Sequence, residues 1–215
     1  MPRNRLALVC LIAFTLAFAI LAGLSMQPAK VSATVIAPAS TPYVPEYTKD
    51  GDLISPLQYR EWIYLTSGLG MSYSAGGPSD HPNFDNVFVN PEAYHSFLAN
   101  GTWPDKTVIV LEGRGSGTHS SINKNGHFQS GPVNGMEIHV KDEARFPGKW
   151  AFFDVASETK ATIFPQTADC YSCHAQHAAV DTTFVQFYPT LLPIAQKKAT
   201  LSAAFLKEIS LETAK

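Results

Sequence analysis

The sequence predicts an α+β domain, an antiparallel β-sheet with short flanking helices and a further helix close to the C-terminal end. Three observations point there. Runs rich in β-branched and aromatic residues recur at 86–90, 107–111, 136–140 and 150–155, separated by turn-forming stretches. The helical signals between them are brief and do not alternate with the strands, so the rhythm of a parallel sheet is missing. Finally, the stretch 51–198 is long enough for one sizeable core and too short for two.

Ahead of that stretch, Arg3 and Arg5 precede an uncharged apolar run from Leu6 to Leu24. Such a run exceeds the usual core of a signal peptide and is long enough to span a bilayer. Val31-Ser32-Ala33 offers small residues for cleavage, so 1–33 reads as a signal peptide or an N-terminal membrane anchor. With the arginines held on the cytoplasmic side, either outcome exports the remainder to the periplasm. Residues 34–50, with Pro38, Pro42 and Pro45 among Ala, Ser and Thr, have no periodic apolar face and read as a linker. Of the 16 basic residues, Arg3, Arg5 and Lys30 lie in the leader, leaving 13 against 18 acids and a formal charge of −5. No basic cluster suggests nucleic acid.

Within the domain, Ser55-Pro56-Leu57-Gln58 has the form of a capping box with proline at the first helical position. It predicts a helix carrying Leu57, Tyr59, Trp62, Ile63 and Leu65 and ending by Gly68 or Gly70. A Gly/Ser/Pro-rich loop follows to Asn83. After the strand at 86–90, Asn90-Pro91 starts a second helix that ends near Gly101. The run 107–111 (TVIVL) reads as a buried strand. Residues 112–134 suggest a hairpin around Asn125-Gly126, and 136–140 and 150–155 supply the next strands. Residues 162–169 read as a loop, 170–180 as a helix, and a last helix begins or bends near Pro193.

The helix at 170–180 opens on Cys170-Tyr171-Ser172-Cys173-His174. Two thiols three positions apart share one side of a helical turn, where both can bond to the vinyl groups of a haem. His174, four after the first thiol, shares that side and can serve as the axial metal ligand. A thioredoxin-like redox pair and half of a zinc site are the alternatives. The first wants a βαβ context that residues 162–169 do not offer. The second wants four cysteines, and the only other one, Cys10, lies in the leader. One covalently attached haem c is the expected cofactor, and its use of both thiols leaves no disulfide framework.

Further stretches carry a resemblance. Tyr59-Arg60-Glu61-Trp62, Val87-Phe88-Val89-Asn90-Pro91-Glu92-Ala93-Tyr94, Trp103 to Val108 and Gly135-Met136-Glu137 match the cytochrome P-460 family, which includes the cytochromes called c-prime-beta. Asp169 to His174, His177-Ala178-Ala179 and 184–189 (FVQFYP) match it best. The resemblance covers about residues 50–193. It implies an antiparallel-sheet domain with one five-coordinate c-type haem, commonly as a homodimer.

Hydroxylamine-oxidising members carry a lysine, bonded to the porphyrin edge, at the end of the strand aligned with 107–111. Here that position is Leu111, which has no nucleophilic atom, followed by the expected Glu112. Lys106 is five residues away and alternation points it to the other face; Lys124 lies in the long loop. Glu137 matches the acid that relays protons above the haem. In an apolar pocket its pKa should be raised, which suits a proton relay; the plainer reading is a solvent-facing strand residue. Met136 faces away from Glu137 on the same strand, and Met71 lies in a loop, so neither is expected as a sixth ligand.

His139 shares a face with Glu137 and is a candidate second-sphere partner; His177 is expected on a solvated face. His81, His95, His119 and His127 read as surface residues. Phe84, Phe88, Phe152 and Phe153 read as core, although some phenylalanines should wall the haem. The function expected is binding of small gaseous ligands, nitric oxide and carbon monoxide, at an open distal side, in scavenging or buffering. Alternatives are hydroxylamine or nitric oxide oxidation with Glu137 relaying protons, or simple electron transfer with a periplasmic donor or acceptor. The tail 199–215 suggests an amphipathic helix through Leu201, Ala204, Phe205, Ile209 and Leu211, docked on the domain or on a second subunit.

Overall fold

The computed structural model describes residues 42–73, 79–157 and 159–213. The expected leader, and the linker up to residue 41, lie outside the described residues. Among the described residues, seven antiparallel strands form one sheet: β1 (Leu53–Ile54), β2 (Ile63–Leu69), β3 (Phe84–Val89), β4 (Val108–Gly117), β5 (Phe128–Lys141), β6 (Trp150–Ser157) and β7 (Lys160–Ile163). Their spatial order is β1-β7-β6-β5-β4-β3-β2. The α-helices are α1 (Pro91–Asn100), α2 (Asp169–His177), α3 (Leu192–Lys198) and α4 (Ala203–Thr213). The fold is α+β, as the strand-rich, hairpin-linked sequence predicts.

Alternation along the strands gives each face its own core. Val108, Val110, Ile138, Val140, Ala151 and Phe153 point to one face and pack with Leu53, Tyr59, Trp62 and Phe146. Val87, Val89, Ile109 and Trp150 point to the other, where Phe97 and Trp103 join Val180, Val185, Tyr188 and Leu191 from the C-terminal segment. The β4–β5 hairpin, expected around Asn125-Gly126, is longer than the sequence suggests, because both strands run on through Gly- and Ser-rich residues.

Several elements differ from expectation. The predicted first helix is only a five-residue 3-10 helix, Leu57–Glu61, and Ile63 begins a strand instead. The Ser55 hydroxyl is buried without a hydrogen-bond partner, so the capping box does not form. Pairing decides this segment: Ile63-Tyr64-Leu65 alternates half-buried, exposed, buried, and Ile63 pairs with Val89 in the sheet. Lys160–Ile163 forms β7 against β6, where a loop was expected from residue 162.

Residues 42–50, read as linker, make specific contacts with the domain. Tyr43 packs on Trp62 with ring centroids 4.8 Å apart, Arg145 lies 3.9 Å over the Tyr47 ring, and Ile54 N–H donates to the Glu46 carbonyl.

Asn90 holds the N-cap position of α1, but its side chain serves the sheet. Its Oδ1 accepts from the Val108 N–H at 2.8 Å. At the other end Gly101, with φ +77°, closes α1 in a left-handed turn. Asn90→Ala leaves the buried Val108 N–H unpaired and is expected to cost about 1–3 kcal/mol. Denaturant unfolding checks this, and an unchanged midpoint would contradict it.

Candidate haem site

Helix α2 begins at Asp169, one residue before the first thiol, and its N-terminal end is docked by Tyr171. The Tyr171 phenol accepts from the Phe152 N–H and donates to the Phe164 carbonyl, both at 3.3 Å, where β6 and the end of β7 diverge. Tyr171 also packs edge-on against Phe152, with centroids 4.9 Å apart. Cys170 and Cys173 are half-buried free thiols. Burial pushes the Cys170 thiol up; hydrogen bonds from nearby backbone N–H groups act against it, while Glu137 and Asp169 add to the rise.

His174 is the best-determined group of the site. Its Nδ1 lies 2.7 Å from the Thr182 carbonyl. A carbonyl can only accept, so Nδ1 carries the proton and Nε2 keeps its lone pair. Burial lowers the His174 pKa, against a smaller upward effect of the Thr182 hydrogen bond, which favours the neutral ring. Phe184 at 4.1 Å, Phe152 at 4.5 Å and His139 at 5.3 Å pack around the imidazole, centroid to centroid.

The sheet provides the facing wall. Register aligns Thr66, Val87, Leu111, Glu137, Asp154 and Thr162 in one rung across six strands. Leu111 and Glu137 are direct cross-strand partners, and both line a cleft between the sheet and the C-terminal segment. The inner lobe, about 140 Å³, also reaches Ile109, His139, Phe152, His174 and Thr183. The outer lobe, about 240 Å³, reaches Thr66, Gly68, Met71, Asp85 and Phe187. Val87, Tyr73, Phe184 and Tyr188 belong to both lobes. One step along, Gly113 and Gly135 oppose each other, and a Cβ on Gly135 would meet nothing within 4 Å.

Glu137 is open to the cleft rather than sealed in hydrocarbon. Its pKa is nevertheless raised, first by partial desolvation and then by Asp154 and Asp85. Glu112, next to Leu111 on β4 and pointing to the other face of the sheet, is in the opposite state. Only 1 % exposed, it takes hydrogen bonds from Tyr59, Asn86 and Arg114 and an ion pair from Arg60. Burial would raise it, but these partners prevail and hold its carboxyl below the usual range.

The structure gathers Cys170, Cys173, His174, Leu111 and Glu137 around this cleft and its helix. Lys106 pairs with Asp142, and Lys124 contacts the Ser121 carbonyl in the β4–β5 loop, so neither lysine lines the cleft. Met136 lines a separate cavity with Tyr59 on the opposite face. Met71, read as a loop residue and not expected as a ligand, stands at the wall of the outer lobe, 43 % exposed, with its sulfur against Gly68. His139 is buried and stacked on Phe152 at 3.9 Å, and its Nε2 is 3.4 Å from Thr182 Oγ1. His177, expected on a solvated face, bonds Glu208 of α4 at 3.0 Å and ties the tail to the haem-motif helix.

Of the phenylalanines weighed from the sequence, Phe152 lines the cleft, while Phe88 and Phe153 pack on the opposite face. Tyr73, Phe184 and Tyr188 are lining residues that sequence reasoning missed. Only the position of Phe184 and Tyr188 in the stretch following the motif hinted at them. The donor set fits a c-type haem: two free thiols, a neutral imidazole with one free nitrogen, and an adjoining, mostly apolar cleft.

A family model described as Cytochrome P460 matches residues 56–185, more than half of the chain. No curated protein matches it.

Because the Glu137 carboxyl has its pKa raised in the folded protein, its contribution to stability is present below the ordinary carboxyl value of 4.5 and is lost as pH rises through the folded value. Glu137→Gln removes that loss. The urea midpoint of the variant is expected to exceed that of the wild type at pH 7 and to equal it near pH 4. Equal midpoints at both would contradict the placement of Glu137.

Proposed function

Since the chain belongs to the cytochrome P460 family, we propose that it is a haem c protein that binds small uncharged gases, nitric oxide and carbon monoxide, in a scavenging or buffering role. The observation that supports this is the pairing of one committed imidazole with a facing wall that is mostly apolar. Cys170 and Cys173 would hold the haem through thioether bonds, and His174 Nε2 would take one axial position. When bound, the haem would supply an iron able to take a small ligand.

The chain's own residues define what reaches the cleft. Val87, Leu111, Phe184 and Tyr188 line the cleft with mostly apolar surface, which limits water and charged ligands. Leucine at 111 offers neither an amine for a porphyrin cross-link nor a hydrogen-bond donor for dioxygen. The three carboxylates Asp85, Glu137 and Asp154 share this face of the sheet and oppose anions. A protein of this kind would work in the periplasm, freed from or anchored by residues 6–24, as a homodimer, with a redox partner there if it turns over.

A second reading rests on Glu137 itself. A carboxyl with a raised pKa beside the Leu111 position holds its proton more readily than an ordinary carboxyl and can pass it on, as hydroxylamine or nitric oxide oxidation requires. Glu137→Gln would then abolish turnover with an artificial electron acceptor.

Mixing the reduced protein with nitric oxide is expected to shift the Soret band, and an unresponsive spectrum would end the gas-binding reading. Replacing both Cys170 and Cys173 by Ser is expected to release the haem on denaturing electrophoresis, whereas the wild type retains it. Retention by the double variant would contradict attachment at these thiols.

A further inference from the structure

Beside His174 lies a polar cluster, reaching the cleft only through Thr183, that none of the chemistry above uses. Lys141, the last residue of β5, is buried yet carries an ammonium group. Its Nζ donates to the Trp103 carbonyl at 2.7 Å and lies 3.4 Å from Asp181 Oδ2, with Glu143 Oε1 at 3.6 Å. The Trp150 ring is 5.7 Å away. Trp103, itself 2 % exposed, gives its indole N–H to Thr183 Oγ1 at 2.8 Å, and that hydroxyl donates to the Val180 carbonyl at 2.7 Å.

These bonds converge on one turn. Val180 and Thr183 exchange backbone hydrogen bonds at 3.3 and 2.9 Å, and Asp181 between them has φ +51°, a left-handed conformation uncommon outside glycine. The turn presents the Thr182 carbonyl to His174 Nδ1. Burying an ammonium costs desolvation energy that only good partners offset. Here its partners are Asp181 in the turn and the carbonyl of Trp103, whose indole holds Thr183.

We propose that Lys141 and Asp181 are positioning residues for the axial imidazole, fixing the distance at which Thr182 accepts the His174 Nδ1 proton. A shorter, firmer bond at Nδ1 gives the ring more imidazolate character and makes Nε2 the stronger donor to iron. The inference rests on His174 being the axial ligand, and it assigns the strength of that ligand to the contact between the buried Lys141 of β5 and Asp181 in the 180–183 turn.

The test reads the iron–histidine stretching band of the reduced holoprotein by resonance Raman spectroscopy. Lys141→Met keeps the stem and removes the charge. Asp181→Asn removes the carboxylate and keeps a residue that tolerates the left-handed backbone. The two variants change local charge by opposite signs, so a shift of the band to lower frequency in both reports a loosened Thr182 contact and not an altered field. That shared downshift is the expected result, with Lys141→Arg restoring the wild-type position. Bands unmoved in both variants, or moved in opposite directions, would overturn the proposal. Should Lys141→Met lose its haem, Asp181→Asn decides alone: a downshift supports the proposal and an unmoved or upshifted band overturns it. A wild-type protein with no iron–imidazole band would overturn the axial-ligand reading, and this proposal with it.

Discussion

The hydrogen bond from His174 Nδ1 to the Thr182 carbonyl is the constraint on which the rest of the structure bears. It fixes the tautomer, frees Nε2, and sets the plane of the ring. A single bond of this kind contributes little to stability by itself. Its value lies in being over-determined. The carbonyl belongs to a turn closed on itself between Val180 and Thr183, and Trp103 and Lys141 hold that turn from the sheet side. Helix α2 is docked separately at its first turn through Tyr171. The two ends of the motif are thus referenced to the same sheet, which is how a nine-residue helix with no buried residue of its own can present Cys170, Cys173 and His174 in register.

The sheet divides labour by strand alternation. One face, under Tyr59, Trp62 and Phe153, is structural; the other, with Leu111, Glu137 and His139, lines the cleft. Glu112 and Glu137 show how completely this decides chemistry. Each borders or opposes Leu111, but Glu112 meets Arg60, Arg114, Tyr59 and Asn86 and stays ionised, whereas Glu137 meets Asp154 and Asp85 and is pushed toward protonation. Two carboxylates of the same kind differ in the direction of their pKa shifts because they project from opposite faces.

Much of this was legible in the sequence because local signals agreed with the fold. The Cys170-Tyr171-Ser172-Cys173-His174 run, the β-branched strand at Val108, and the Asn90-Pro91 helix start are local patterns, and the structure keeps all three. Leu111 and Glu137 were picked from resemblance, and only the register shows that they are cross-strand partners. The failures share a cause. Ser55-Pro56 is a helix-start signal overridden by the pairing of Ile63 with Val89, a contact 26 residues away in sequence. Tyr73 and Met71 reach the cleft from a loop whose composition suggests nothing, and the bond from His177 to Glu208 spans 31 residues. Non-local pairing of this sort leaves no periodic trace in the chain.

On the proposed reading the chain would offer the iron one imidazole, with a mostly apolar cleft wall opposite and Met71 at its rim. The most direct measurement is the optical and magnetic circular dichroism spectrum of the reduced protein with no added ligand. A high-spin, five-coordinate spectrum is expected. A low-spin, six-coordinate spectrum, with a sulfur or second nitrogen ligand from the chain, would contradict it.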